Sequence, residues 1–148
     1  MSNIKLMAQY IKDLSFEVPN APQIFFNNQE KPNIEMSIDI DAKKISETTY
    51  EVSLKISADA SANNQRTFLC EIIYAALFSI EETESQTLEQ ILLIYCPNLI
   101  FPFVRRIISN LTSDGGFPPL LIDIIDFAAL YQRRKIAAEA TPINDTKN

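Results

Sequence analysis

Thr67-Phe68-Leu69-Cys70-Glu71-Ile72-Ile73-Tyr74-Ala75-Ala76-Leu77-Phe78-Ser79-Ile80 carries apolar side chains on both of its alternating sides. Phe68, Cys70, Ile72, Tyr74, Ala76 and Phe78 fall on one, Leu69, Ile73, Ala75 and Leu77 on the other. A strand places successive side chains on opposite faces, so this segment reads as a central strand that wants cover above and below. The chain's own helices can supply one layer. The remaining sequence is too short to supply a second comfortably, and self-association is the economical source. Cover by loops, or a helical reading of 70–78, are the alternatives, because a short two-sided run is ambiguous by periodicity alone.

Upstream the period of two is cleaner. Leu14, Phe16 and Val18 alternate with Asp13, Ser15 and Glu17 until Pro19 and Pro22 end the strand. Ile34, Met36, Ile38 and Ile40 alternate with Glu35, Ser37 and Asp39, and after a polar connection at 41–48 the period returns as Tyr50, Val52, Leu54, Ile56 and Ala58. Both read as half-buried antiparallel strands.

Downstream the spacing turns helical. Thr83-Glu84-Ser85-Gln86 has the form of a capping box, followed by Leu88, Ile91, Leu92 and Tyr95, which predicts a helix ending near Pro97. A second helix is expected from Asn98 or Phe101, carrying Phe103, Val104, Ile107, Ile108 and Leu111, with Pro102 tolerable only in the first turn or at a kink. Gly115 and Gly116 stop it. The apolar loop Phe117-Pro118-Pro119-Leu120-Leu121-Ile122 is either a buried connector or an exposed greasy rim. Asp126 is expected to cap a last helix with Phe127, Leu130, Tyr131 and Ile136 inward, while Arg133, Arg134 and Lys135 complement its dipole. The reading gives a single domain over 1–140 and a flexible tail over 141–148.

Composition narrows the chemistry. The 148 residues, 47% of them apolar, suit one packed core. The formal charge is −6, a poor match to nucleic acid or anionic membranes. Residues 1–97 hold 14 acids and 7 bases, residues 98–148 hold 5 and 6, so the strand-rich part carries the acidity. Histidine is absent, which removes the commonest general base, metal ligand and nucleophile partner. Cys70 and Cys96, in a chain with no secretory signal pattern, read as buried thiols of a reducing compartment; no metal site or cofactor is expected. The only two glycines are adjacent, so no phosphate-cradling loop can be written. Glu89 and Gln90, Pro97 and Asn98, and Arg105 and Arg106 interrupt any apolar run long enough to span a bilayer, and a soluble protein is expected.

Carboxylates are the remaining acid–base equipment, at Asp123 and Asp126 and at Glu81, Glu82 and Glu84. Capping and solvation account for both sets, since nothing in their polar surroundings separates their pKa values. The surplus of apolar and aromatic residues on strands and on a proline-containing loop instead has the composition of a surface that holds extended peptide. A carboxylate enzyme working on a small substrate and a structural adaptor are the competing classes.

Tyr10-Ile11-Lys12-Asp13-Leu14-Ser15-Phe16-Glu17 with Pro19-Asn20-Ala21-Pro22, then Phe68-Leu69-Cys70-Glu71 with Phe78-Ser79-Ile80, form two distinctive motifs. Tyr95-Cys96-Pro97-Asn98 through Phe101-Pro102 leads on to Gly116-Phe117-Pro118 and Asp126-Phe127. From about Tyr10 to Tyr131 the chain resembles the SecB protein-export chaperones of Gram-negative bacteria. The resemblance implies an α+β fold, a four-stranded antiparallel sheet with helices packed on one face, assembled as a dimer of dimers. It implies a cytoplasmic, ATP-independent holdase rather than an enzyme, which keeps secretory preproteins unfolded and delivers them to the motor ATPase SecA. Neither nucleic acid nor membrane insertion is implied. By the resemblance, Asp13, Glu17, Leu69 and Glu71 meet the motor's basic tail. Ile34, Met36, Ile38, Leu120, Leu121 and Phe127 line the client groove, and Cys70, Ile72 and Tyr74 lie on the strand that builds the oligomer contact. A SecB-like chaperone of a toxin–antitoxin pair is the related alternative. The tail after Ala140 lacks pronounced acidity, so no secondary motor contact through it is expected.

Overall fold

Alternating side chains organise four strands into one antiparallel sheet: β1 (Ile4–Glu17), β2 (Asn33–Lys44), β3 (Thr49–Ala62) and β4 (Gln65–Ile80), in the order β1-β4-β3-β2. The computed structural model describes residues 3–26, 31–81 and 83–140, so the expected tail at 141–148 lies outside the described residues. The segment 67–80 is strand throughout and sits centrally, paired with β1 and β3. β3 and β4 join through Asn63 and Asn64, both at positive φ (55° and 62°), the left-handed pair that a two-residue hairpin needs and asparagine tolerates. β1 starts nine residues before the point where alternation becomes legible. Register shifts at Met7 and Lys12 break its period of two and hide its first half.

One helix, Ser85–Asp114, covers one face of the sheet. It is the merger of the two expected helices, through a π-turn at Ile91–Tyr95. A proline inside a helix clashes with the carbonyl four residues back, and the widened turn just before Pro97 moves that carbonyl away from the ring. Here the Cys96 N–H bonds the Ile91 carbonyl, five residues back. Pro102 removes a bond whose acceptor, Asn98, is exposed and open to water. The expected capping box does not form: the helix starts from Glu84, which makes no side-chain cap. By length and composition alone this 30-residue helix is apolar enough to cross a membrane, contrary to the expectation that its polar pairs would interrupt any such run. Its apolarity has a local use, since Leu92, Cys96, Ile100, Val104 and Ile108, four residues apart, are all buried in the core with the sheet.

The inner face of the sheet, built by Val52, Leu54, Ile56, Ala58, Cys70, Ile72, Ala76 and Phe78, is sealed under the helix. Cys70, Ile72 and Tyr74 therefore belong to the core of one chain: they are 0%, 1% and 6% exposed without any partner present. Their expected place at a contact between copies is corrected to this core, and the strand turns its opposite side outward. There Leu69, Ile73 and Leu77 remain half-buried. Ala75 is covered from within, because Tyr10 from β1 reaches over β4 to Glu51 on β3.

The last helix (Phe127–Ala140) begins under Asp126, whose Oδ1 accepts the Ala129 N–H at 3.0 Å, as the sequence predicts. It continues past the basic cluster, so Arg133, Arg134 and Lys135 are not in its last turn. Arg134 donates to the Ile38 carbonyl and pairs with Asp39, and Lys135 lies over the Tyr131 ring. Ile136, expected inward, is 62% exposed: nine residues from Phe127, it points to the opposite side.

Candidate functional site: an apolar groove and an acidic sheet face

A chain of aromatic rings runs from the sheet to the loop at 115–120. Phe16 stacks on Phe68 (5.6 Å between centroids), Phe68 meets Phe117 (5.3 Å), and Phe117 meets Phe25 (5.3 Å). Two glycines allow this approach. A Cβ at Gly115 would run into the Phe16 ring, and Gly116 adopts a φ of +96° beside the Phe25 ring. Between β2, the start of β4 and this loop lies an apolar groove of 530 Å³, lined by Phe25, Pro32, Ile34, Thr67, Phe68, Phe117, Pro118, Pro119 and Leu120. The loop is neither wholly buried nor wholly a rim: Phe117 and Leu120 are half-buried, while Pro118 and Pro119 are exposed.

This wall is pinned. The buried Thr112 hydroxyl bonds its own helix at the Ile108 and Ser109 carbonyls and accepts the Leu120 N–H at 2.8 Å. Arg105 Nε donates to the Ile122 carbonyl at 2.6 Å. Of the residues expected at a client groove, Ile34 and Leu120 line this one. Met36 (42% exposed) and Ile38 extend the same face along β2. Leu121 faces a separate hollow of 440 Å³ beside Arg105, Arg106 and Ile124. Phe127 lines neither, being 1% exposed and packed edge-on against Phe101, so its expected place in the groove is corrected to the core. Phe25, Phe68 and Phe117 were not among the expected lining residues; Phe117 directly follows Gly115-Gly116, while Phe25 and Phe68 are brought to it only by the fold. A larger, more open hollow of 730 Å³ lies at the far end of β2, but Asp41, Glu89 and Lys135 make it polar.

The outer face of the sheet has the opposite character. Register places Glu35, Asp59, Leu69 and Glu17 in one row across it, Ser37, Ser57, Glu71 and Ser15 in the next, and Asp39, Lys55, Ile73 and Asp13 in the third. Asp13, Glu17, Leu69 and Glu71 are thus neighbours on one surface. Glu17 lies directly opposite Leu69, and Glu71 sits one row from each of the other three. These rows hold six carboxylates and one cation, Lys55; from outside them Arg66 is held by both oxygens of Asp59 at 3.0 and 2.9 Å and Arg134 pairs with Asp39. Further along, Glu51 accepts from Tyr10 (2.5 Å) and Lys12 (2.8 Å), bonds that hold its carboxyl below the usual range. Burial and that carboxylate push the Tyr10 hydroxyl up to about 12.

Asp126 is occupied as a cap, and Asp123 is exposed. Among the described residues no group of three Cys, Asp or Glu side chains could hold a metal ion. The two thiols are free and buried, and burial pushes Cys70 up to about 11 and Cys96 to about 12. An aromatic groove on the helix side and a carboxylate-rich sheet on the other are surfaces suited to holding polypeptide, as in the class of molecular chaperones.

The comparisons give the class its family. A family described as preprotein translocase subunit SecB matches residues 1–138. A relative from Parvibaculum lavamentivorans named Protein-export protein SecB is 49% identical over 131 residues, 88% of this chain and 78% of its own. One of the same name from Caulobacter vibrioides is 41% identical over 144 residues, 97% of this chain and 88% of its own. Among solved structures, the Mycobacterium tuberculosis Rv1957 SecB-like chaperone, in complex with a ChAD peptide from the Rv1956 HigA1 antitoxin, superposes with a TM-score of 0.67 at 14% identity. It covers 82% of this chain and 90% of its own, and it shows the shared fold. The chain belongs to the SecB family, whose members are protein-export chaperones.

Proposed function

We propose that this chain acts as an ATP-independent holdase in the cytoplasm, keeping secretory preproteins unfolded and passing them to the motor ATPase SecA. The observation that carries the reading is the division of one sheet into an apolar groove and an acidic outer face. Extended client segments lie in the groove at Ile34, Phe68, Phe117 and Leu120, and along Met36 and Ile38. Burying one such side chain is worth about 1.5–3 kcal/mol. Ordering an unfolded client offsets much of that gain, so affinity comes from several sites acting together.

The repeated sites come from a homotetramer. β1 is a free edge 14 residues long, and Leu6, Met7 and Ile11 on it are 44%, 52% and 46% exposed. The flank of the long helix adds Tyr95, Leu99 and Phe103, the last stacked on Tyr74 beside Ile11. An exposed apolar edge strand of this length pairs or aggregates unless a second copy covers it.

The motor contact uses Asp13, Glu17, Leu69 and Glu71. Rim ion pairs of this kind are worth about 0.2–1 kcal/mol each and weaken with salt, so several act in concert. Light scattering of an aggregating unfolded client tests the holdase: suppression near stoichiometric tetramer, without nucleotide, is the expected result, and none would refute it. The double variant Glu71→Lys with Asp13→Ala is expected to weaken motor binding in calorimetry while the oligomer persists. Unchanged affinity would reject that surface.

A further inference from the structure

We infer that the Thr67 hydroxyl is a main-chain anchor inside the groove, hydrogen-bonding a backbone amide of the extended client and so fixing where along the groove its side chains fall. The inference rests on the reading of the groove as the client site. Around Thr67 the pairing of β3 with β4 slips: Ala60 faces Phe68 and Ser61 faces Arg66, which leaves Thr67 as the extra residue of a bulge. A bulge re-aims side chains, and here Thr67 and its neighbour Phe68 both line the groove.

Thr67 is 2% exposed, and among the described residues its Oγ1 is the one buried side-chain oxygen or nitrogen with no hydrogen-bond partner. The contrast with Thr112 behind the groove's other wall is direct, since that hydroxyl makes three bonds within the chain. A valine at 67 would fill the same volume without stranding a hydroxyl, so in the free chain this oxygen is a liability.

An extended peptide removes the liability. It offers an N–H and a C=O at every residue, at a rise of about 3.3 Å, whatever its sequence. A main-chain partner leaves the groove tolerant of side chains, whereas a side-chain partner would restrict it to polar sequences. To reach the oxygen the client must move the Phe68 and Phe117 rings apart while the loop's main chain stays pinned, and apolar client side chains between the two rings would hold that gap open.

The decisive probe is a fluorescein-labelled peptide whose side chains between terminal lysines are only alanine, leucine and phenylalanine, so that its main chain is the one polar partner within the groove. Fluorescence anisotropy with the intact oligomer is expected to show Thr67→Val binding about 3- to 10-fold more weakly, and Thr67→Ser within about twofold of the unmodified chain. A merely apolar groove predicts the reverse, because valine is the more hydrophobic residue. Equal or tighter binding by Thr67→Val, while the unmodified chain does bind, overturns the inference. Failure of the unmodified chain to bind overturns the groove reading instead. The melting midpoint of free Thr67→Val is expected to be unchanged or raised; a lowered midpoint would mark the hydroxyl as structural and also overturn the inference.

Discussion

Thr112→Val removes one oxygen and leaves the shape of the core unchanged, which isolates what that oxygen does. Thr112 is fully buried in the long helix, and its hydroxyl is the acceptor for the Leu120 N–H at 2.8 Å. Its other two partners, the Ile108 and Ser109 carbonyls, belong to the helix, where the backbone supplies alternative donors. The net loss is therefore one hydrogen bond plus the partial stranding of the Leu120 amide. A bond of this kind is worth about 1 kcal/mol, and a stranded buried donor costs about 1–3 kcal/mol. Leu120 is half-buried, so water repays part of the second quantity and the expected destabilisation is about 1–2 kcal/mol. For a chain of this size each kcal/mol lowers the melting midpoint by about 2–4 °C, provided protomer concentration is held fixed. Amide exchange at Leu120 should accelerate about tenfold or more while the strands of the sheet keep their protection. Thr112→Ser, which keeps the oxygen and loses a methyl, should retain the Leu120 protection. If Thr112→Val leaves Leu120 as protected as before, the loop is held by apolar packing alone and the pinning argument fails.

Three further outcomes follow from other parts of the structure. Gly115→Ala should cost about 1–3 kcal/mol in a urea melt, because the new methyl displaces the Phe16 ring from its stack on Phe68; a neutral result would show that the ring moves freely. Glu51 is held ionised by Lys12 and Tyr10, so its folded pKa lies below its unfolded value, and the stability it contributes is present above the ordinary carboxylate range and lost as pH falls through the depressed value. Glu51→Gln should lower the melting midpoint near neutral pH and flatten its decline as pH falls below the ordinary carboxylate range; an unchanged acid limb would reject this. Cys70 and Cys96, buried with thiol pKa values raised to about 11 and 12, should resist iodoacetamide near pH 8 in the folded chain and both react in denaturant, as counted by mass spectrometry. Rapid labelling of either in the native state would contradict its burial.

The sheet was legible because burial of one face imposes a period of two, and Ile34–Ile40, Tyr50–Ala58 and 68–80 keep that period without a break. The first half of β1 was not, because bulges at Met7 and Lys12 reset the phase before enough residues accumulate to show it. Pro97 reads as a stop on local rules, and a π-turn, which leaves no sequence mark, is what overrides them. The two-sided pattern of 67–80 did not say which face took the helix, and within one chain only one face is sealed. Cys70, Ile72 and Tyr74 were accordingly placed at an outer contact and lie inside instead. Ile34 and Leu120, which the family resemblance named, line the groove observed and also pack against the core. Phe127 was not separable from them by hydrophobicity, because whether an aromatic ring faces a groove or another ring is decided by packing. The acidic face rested on strand alternation for its sidedness and on strand order, invisible to local pattern, for bringing Asp13 and Glu17 beside Leu69 and Glu71.

The widened turn at Ile91–Tyr95 and the proline behind it form an interlocked pair with a consequence for how the length of this helix can change. A π-turn is one surplus residue in an otherwise regular spiral, so excising one residue there would leave Cys96–Asp114 presenting the same side to the sheet. It would also restore the tight turn in which the Pro97 ring collides with the carbonyl before it. The deletion is therefore harmful while Pro97 stands and tolerable once it is replaced. Any lineage that shortens this helix by a residue must exchange the proline first.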